Sequence, residues 1–116
     1  MSFKSKHSFE YRFNETRSIL ERYPDRIPVI CERAKNASKD CPDIDKHKYL
    51  VPNDLSIGQF VYVIRKRLKI PPEKALFLFI NGMILSTSIL ISNIYDCYKD
   101  KDGYLYVMYT FENTFG

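Results

Sequence analysis

The residue best suited to take part in a reaction is Gly116, whose carboxylate follows the aromatic segment 104–111 on a short tether. Glycine has no side chain and accepts many backbone conformations, so it contributes little to the stability of a packed fold. An exposed, unbranched carboxylate of this kind can be threaded into a narrow enzyme site and activated there. Terminal residues are also commonly frayed, and the glycine alone does not distinguish a reactive end from a frayed one.

Histidine and cysteine residues do not form a catalytic or metal-binding pattern. His7 and His47 lie in different segments and have no carboxylate or cysteine at the spacing of metal ligands. The three cysteines, Cys31, Cys41 and Cys97, lack a Cys-x-x-Cys spacing, which fits reduced thiols in a cytosol better than a disulfide framework. Phosphate-binding glycine loops and zinc-protease motifs are also absent from the sequence. We therefore expect no enzyme activity, no bound metal and no cofactor.

Basic side chains are concentrated in the middle of the chain. The net charge is only +4, but basic residues far outnumber acidic ones in segment 46–74. A face of this kind suggests an acidic partner. The densest run, residues 65–69, closes a predicted helix, where a solvated helix end is the default interpretation and an acidic protein partner is the next. No RNA-binding or helix-turn-helix signature accompanies the run, so we expect no nucleic-acid partner.

Length and hydropathy predict one domain without a membrane segment of its own. The 116 residues, 45% of them hydrophobic, can form a single core but not two. Residues 1–25 lack the apolar centre of a signal peptide, and the longest apolar run, residues 75–80, is too short to cross a bilayer. Ser2 excludes N-myristoylation. We expect a cytoplasmic protein unless a membrane anchor is attached to it later.

Apolar periodicity predicts three helices. The first is capped by Ser8 and stopped by Pro24, and residues before it could add one more turn. Its apolar stripe is formed by Phe9, Phe13, Thr16, Leu20 and Tyr23. The second is capped by Asp54 or Ser56, and its apolar positions are Ile57, Phe60, Val61, Ile64 and Leu68. A short third helix follows Ser88 and carries Ile91, Ile94, Tyr95 and Tyr98.

Runs of β-branched and aromatic residues predict strands at 26–32, 48–52, 75–80 and 104–111. Asn81-Gly82 is a strong turn signal after the third strand, and Pro52 places the second at or near a sheet edge. The first and last strands are apolar on both faces, so each face needs a cover, which the two longer helices can supply. Two strands, a helix, and two further strands with a short helix between them are the β-grasp arrangement of ubiquitin.

The predicted edge strand 48–52 is a candidate binding element. An edge strand leaves N–H and C=O groups that an extended peptide can pair with. Strand alternation sends Leu50 to one side and Tyr49 and Val51 to the other, so each side could border a pocket. Lys46 and Lys48 would attract acidic residues to it. A short, charged edge that resists aggregation has the same pattern, and the pattern alone does not decide between the two.

Six sequence blocks, in the same order, resemble the GABARAP-like autophagy-related protein 8 family. They are residues 23–30, 45–52, 56–60, 64–68, 75–79 and 95–106, and the resemblance runs nearly from end to end. It implies an α+β fold, a ubiquitin-like β-grasp with two additional N-terminal helices, in a single domain. The implied parts are a helical extension (1–24), a β-grasp core (25–111) and a flexible tail (112–116).

By this resemblance, Gly116 is joined to phosphatidylethanolamine. An activating enzyme adenylates the carboxylate and captures it as a thioester, a conjugating enzyme transfers it to the lipid amine, and a cysteine protease removes the lipid. All covalent chemistry belongs to those enzymes. The implied function is a membrane-bound docking platform in autophagosome formation and cargo recruitment. We expect the protein in the cytoplasm, and on autophagosome or related vesicle membranes once it carries the lipid.

Family members bind cargo receptors and adaptors through short motifs, an aromatic residue followed three positions later by an aliphatic one, often flanked by acids. The motif adds a strand to the counterpart of residues 48–52. The resemblance implies an aromatic pocket formed by Glu15, Ile19, Pro28, Ile30, Lys48, Leu50 and Tyr104. It implies an aliphatic pocket formed by Tyr49, Val51, Pro52, Leu55, Phe60 and Val63. The residues implied to meet the acidic flanks are Arg26, Lys46 and Arg67. A second surface toward processing enzymes and some partners would contain Phe77 and Phe79.

Some features depart from the family or leave alternatives open. Tyr104 stands where GABARAP has phenylalanine, and its added hydroxyl needs a partner and bears on aromatic preference. One alternative function is a non-covalent vesicle-trafficking or microtubule-associated adaptor that binds acidic tubulin tails through Lys4, Lys6 and Arg12. Another is a modifier of protein lysines, in which Gly116 would form an isopeptide bond.

Overall fold

A mixed five-stranded sheet forms the centre of the computed structural model, which describes residues 2–111. Its strands are β1 (Arg26–Arg33), β2 (Lys48–Pro52), β3 (Phe77–Ile80), β4 (Met83–Ile84) and β5 (Leu105–Thr110). They lie in the order β2-β1-β5-β3-β4, with β1 parallel to β5 and the other neighbours antiparallel. The position of β2 confirms the edge strand that Pro52 predicted.

The hairpin that joins β3 to β4 is predicted by its turn but not by its second strand. Asn81 and Gly82 have positive φ angles of 51° and 76°, as a two-residue hairpin turn requires. Both residues of β4, Met83 and Ile84, are exposed. The sequence pattern misses β4 because two residues are too few to show the alternation that identifies a strand.

Four helices accompany the sheet within residues 2–111. They are α1 (Phe3–Lys6), α2 (Phe9–Arg22), α3 (Ile57–Leu68) and α4 (Ile91–Tyr98). The Ser8 hydroxyl accepts a backbone N–H at the start of α2, and Ser56 forms a reciprocal capping box with Gln59 at the start of α3. The N-cap of α4 is Leu90, whose side chain makes no capping hydrogen bond, so Ser88 precedes this helix without capping it.

The sheet is covered on both faces, which confirms the prediction from the two-sided apolar pattern of β1 and β5. One face packs against α3 in the larger core, whose members include Ile27, Val29, Cys31, Ile57, Phe60, Ile64, Leu105, Val107 and Tyr109. The other face carries a smaller core formed by Phe3 of α1, Ile30 and Tyr104. Ile19 of α2 and Tyr106 pack against this smaller core.

α2 turns to the sheet only part of the face that its apolar spacing predicts. The exposed members of the predicted stripe are Phe9 (49%), Leu20 (36%) and Tyr23 (47%). Thr16 is buried as the stripe predicts, but Arg12, which lies outside the stripe, is buried as well because its guanidinium pairs with the fully buried carboxylate of Asp102. A periodicity rule assigns arginine to the solvent and therefore cannot anticipate a buried ion pair.

Candidate peptide-binding site

The outer edge of β2 presents backbone hydrogen-bonding groups. On its inner side, the Cys31 N–H donates to the His47 carbonyl at 2.8 Å, at the start of the antiparallel pairing with β1. Bonded and non-bonded pairs alternate along such a ladder, so the N–H and C=O groups of Lys48 and Leu50 face away from β1. No other strand within residues 2–111 pairs with this edge. An extended peptide could therefore add a strand there.

The residues predicted for the aromatic pocket lie between this edge and α2. The buried members of the predicted set are Pro28, Ile30 and Tyr104. The half-buried members are Glu15, Ile19, Lys48 and Leu50. Glu15 and Ile19 also line a cavity of about 490 Å³ along α2. Hydrogen bonds join Glu15 to Lys48 and Tyr104, and Ile19 packs with Ile30 and Tyr104. That the predicted set binds an aromatic side chain stays a prediction.

Glu15 is the polar centre of this pocket. Its Oε2 accepts the Lys48 ammonium at 2.8 Å and the Tyr11 hydroxyl at 3.3 Å, and its Oε1 accepts the Tyr104 hydroxyl. Burial alone would raise the pKa of Glu15, but the hydrogen bonds from Lys48 and Tyr104 outweigh it and lower that pKa. Sequence reasoning missed Tyr11, although its i, i+4 spacing from Glu15 places both on one face of a helix.

The contribution of Glu15 to stability is expected to depend on pH. Its folded pKa lies below the ordinary 4.5, so the ionised carboxylate stabilises the fold above that value, and this contribution disappears as the pH falls through the folded pKa. Urea unfolding of the wild type and of Glu15→Gln measures the effect. We expect the wild type to be more stable at pH 7 and the difference to shrink below about pH 5. A difference that stays constant at low pH would contradict this linkage.

The residues predicted for the aliphatic pocket divide into core and surface. Tyr49, Val51 and Phe60 belong to the larger core, where the Tyr49 and Phe60 rings meet edge to face with centroids 5.6 Å apart. The members that reach the surface are Pro52, Leu55 and Val63. The Tyr49 hydroxyl is buried without a hydrogen-bond partner among residues 2–111, and burial raises its pKa. Only the surface members are open to a ligand without a change in the core.

The cations predicted to meet acidic flanks already have contacts on the protein. The Arg67 guanidinium donates to the exposed Asp45 carboxylate at 3.0 Å, and Arg26 donates to the Leu50 carbonyl of β2 at 3.3 Å. The Lys46 ammonium lies 5.2 Å from the centre of the Tyr49 ring. Exposed contacts of this kind are weak, so acidic residues of a peptide can compete for all three cations.

The remaining predicted sites are the second partner surface and the C-terminal glycine. Phe77 is half-buried and Phe79 is buried, and their role as a second partner surface stays a prediction. Gly116 and the tail 112–116 lie outside the described residues.

Among residues 2–111, no group of histidine, cysteine, aspartate and glutamate side chains is placed to hold a metal ion. None of the helices described is long and apolar enough to cross a membrane.

The basic N-terminal face predicted to bind tubulin is smaller than the sequence suggests. Arg12 is only 9% exposed, because it is held by the buried carboxylate of Asp102. Lys4 forms a surface ion pair with Asp100 at 2.6 Å. Of the three predicted basic residues, Arg12 is therefore not available to an acidic tail, and Lys4 would first have to leave its partner.

A β-grasp sheet with two helices before it and an open edge at β2 defines a ubiquitin-like protein. A family model described as "Autophagy protein Atg8 ubiquitin like" matches residues 11–116. Autophagy-related protein 8 of Scheffersomyces stipitis is 59% identical over 98% of this chain and 81% of its own length. The protein of the same name from Mycosarcoma maydis is 58% identical over 99% and 96%, respectively. The chain belongs to the autophagy-related protein 8 family.

Structural comparison agrees with this assignment. The crystal structure of Trypanosoma brucei ATG8 superposes with a TM-score of 0.91 at 45% sequence identity, covering 100% of this chain and 98% of that one. The predicted fold class, a ubiquitin-like α+β fold with additional N-terminal helices, is therefore confirmed. Family membership assigns the protein to autophagy.

Proposed function

We propose that this protein is conjugated through Gly116 to phosphatidylethanolamine and then acts as a membrane docking platform in autophagosome formation. Family membership supports the conjugation, and the family match extends through Gly116. Partner enzymes activate and transfer the carboxylate, and a cysteine protease reverses the reaction. A lipid with two acyl chains anchors a domain stably where a single chain is marginal. The protein moves from the cytoplasm to autophagosome or related vesicle membranes when it acquires this anchor.

The docking part of the proposal depends on one observation, the outward-facing N–H and C=O groups of Lys48 and Leu50. A receptor peptide with an aromatic-x-x-aliphatic motif pairs with them as an added strand. Its aromatic side chain enters the pocket above Ile30, beside Glu15. Its aliphatic side chain lies on the other side of β2, against the exposed side chain of Val63 and its neighbours. Acidic flanking residues compete for the surface cations described above.

Leu50→Ala tests this docking mode. Leu50 is half-buried at the edge, whereas its neighbour Tyr49 packs on Phe60 in the core, so truncation of Tyr49 would damage the fold as well as the groove. Loss of one anchor contact commonly costs about 2 kcal/mol, which weakens binding roughly thirtyfold. Calorimetric titration with a Trp-x-x-Leu peptide measures the change.

Ile84→Ala on β4, at the opposite edge of the sheet, is the matched control for Leu50→Ala. Ile84 is 45% exposed, so its truncation removes surface apolar area without touching β2. We expect it to leave the affinity for the peptide unchanged. Equal affinities of Leu50→Ala and Ile84→Ala would refute the assignment of the pocket.

The alternative functions are separated by the intact mass of the membrane-bound protein. The mass of one added phosphatidylethanolamine supports the proposal, and an isopeptide-linked protein would make the chain a modifier of lysines. An unmodified mass, together with salt-sensitive tubulin binding, would favour the non-covalent trafficking adaptor. The burial of Arg12 against Asp102 weighs against that adaptor, since it removes one cation from the proposed tubulin-binding face.

A further inference from the structure

The hydroxyl of Tyr104 donates a hydrogen bond to Glu15, the only carboxylate among the residues predicted for the aromatic pocket. Tyr104, directly before β5, is fully buried, and its ring packs edge to face on Phe3 with centroids 5.3 Å apart. Its hydroxyl donates to Oε1 of Glu15 on the facing helix. A phenylalanine could keep the ring in this position but would leave that oxygen free.

The acceptor capacity of Glu15 is nearly exhausted by its neighbours. A carboxylate has two oxygens and about four lone-pair directions. Oε2 receives the Lys48 ammonium at 2.8 Å and the Tyr11 hydroxyl at 3.3 Å, and Oε1 receives Tyr104. A ligand that brings a further donor must therefore share Oε1 with Tyr104 or displace one of the three donors.

Besides Glu15, the one side-chain acceptor among the pocket residues is the hydroxyl oxygen of Tyr104, which is fully buried and so is not presented to a ligand. The remaining members are the apolar Ile19, Pro28, Ile30 and Leu50 and the cationic Lys48, which only donates. The outward carbonyls of β2 are used by the backbone of an added peptide strand. An indole N–H buried here would have to compete for Glu15, whereas a phenyl ring brings no donor and has no such requirement.

We propose that Tyr104 lowers the affinity of this pocket for tryptophan relative to phenylalanine, and so determines which aromatic-x-x-aliphatic peptides bind. This inference rests on the docking function proposed above and adds a specificity-determining residue to it. The Tyr104 ring is buried among the pocket residues, and the Tyr104 hydroxyl controls how much of Glu15 remains for the ligand.

The test compares two peptides that differ only in the aromatic position, one with tryptophan and one with phenylalanine. Both are titrated calorimetrically against the wild type, Tyr104→Phe and Tyr109→Phe. Freeing an acceptor on a charged group is expected to raise the tryptophan-to-phenylalanine affinity ratio about tenfold in Tyr104→Phe. Because the ratio is taken within one variant, a general loss of stability does not change it.

Tyr109→Phe is the matched control, since it removes a buried tyrosine hydroxyl from the other face of β5. The Tyr109 hydroxyl donates to the Pro42 carbonyl at 2.6 Å rather than to Glu15 or Asp102, so the affinity ratio is expected to equal that of the wild type. A ratio that Tyr104→Phe leaves unchanged, or that both variants raise equally, would overturn the inference. Failure of both peptides to bind the wild type would overturn the docking function itself, and this inference with it.

Discussion

Asp102→Ala is expected to lower the free energy of unfolding by about 4 kcal/mol, as is typical when one partner of a buried ion pair is removed. The Asp102 side chain is fully buried, and its carboxylate accepts the Arg12 guanidinium at 2.5 Å and the Tyr106 hydroxyl at 2.6 Å. The Tyr104 N–H donates to its second oxygen at 2.8 Å. Alanine leaves these three donors without their acceptor, and the Arg12 charge becomes uncompensated. Urea unfolding at pH 7 measures the loss.

The contact around Asp102 also positions the candidate site. The Thr16 hydroxyl of α2 donates to the Asp102 carbonyl, and a Cβ added to the next residue, Gly103, would lie 2.4 Å from that hydroxyl oxygen. α2 is therefore held close to the turn before β5. Glu15 precedes Thr16 and Tyr104 follows Gly103. The contact between Thr16 and the backbone at 102–103 therefore holds Glu15 within reach of the Tyr104 hydroxyl. Asp102→Ala is expected to weaken peptide binding along with stability.

Lys4→Met is the control for the buried pair. Lys4 bonds the neighbouring Asp100 at 2.6 Å, but its side chain is 47% exposed, and exposed pairs contribute about 0–1 kcal/mol. We expect this variant to lose less than about 1 kcal/mol. If Asp102→Ala were no less stable than Lys4→Met, the buried pair could not be what fixes α2 on the sheet.

The elements that sequence reasoning predicts best are those defined by local patterns. Ser56, one of the two residues predicted to cap α3, is its N-cap, and Asn81-Gly82 adopts the turn that it signals. The two-sided apolar pattern of β1 predicts a cover on both faces because no strand exposes two apolar faces to water without a large penalty. Each of these inferences needs only neighbouring residues.

The orientation of α2 could not be predicted in the same way. Arg12 and Asp102 are 90 residues apart, and nothing near either one indicates a buried partner. For the candidate site, family resemblance supplies the residues, but it does not show that Tyr104 and Lys48 share the carboxylate of Glu15. Nor does it show that Tyr49 belongs mainly to the core. Long-range polar contacts of this kind become visible only in the folded chain.

Gly116→Ala is expected to abolish conjugation to phosphatidylethanolamine while the domain folds as before. In the proposed reaction the glycine carboxylate is activated inside narrow enzyme sites, where an added Cβ displaces the reacting carbon and excludes backbone conformations open only to glycine. A displacement of about 1 Å at a reacting centre can slow a reaction a hundredfold. Reconstitution with the activating and conjugating enzymes and vesicles that contain phosphatidylethanolamine, followed by intact-mass measurement, gives the conjugated fraction.

Two controls make the result for Gly116→Ala specific to the reacting carboxylate. Thr114→Ala changes the same tail without altering the terminal residue, and we expect it to be conjugated at the wild-type rate. Leu50→Ala is expected to be conjugated normally and yet to bind receptor peptides weakly, because the proposed docking and the proposed conjugation use different parts of the chain. Conjugation of Gly116→Ala at the wild-type rate would reject Gly116 as the reacting residue, whereas conjugation of the wild type to a protein amine would reject the lipid as its target.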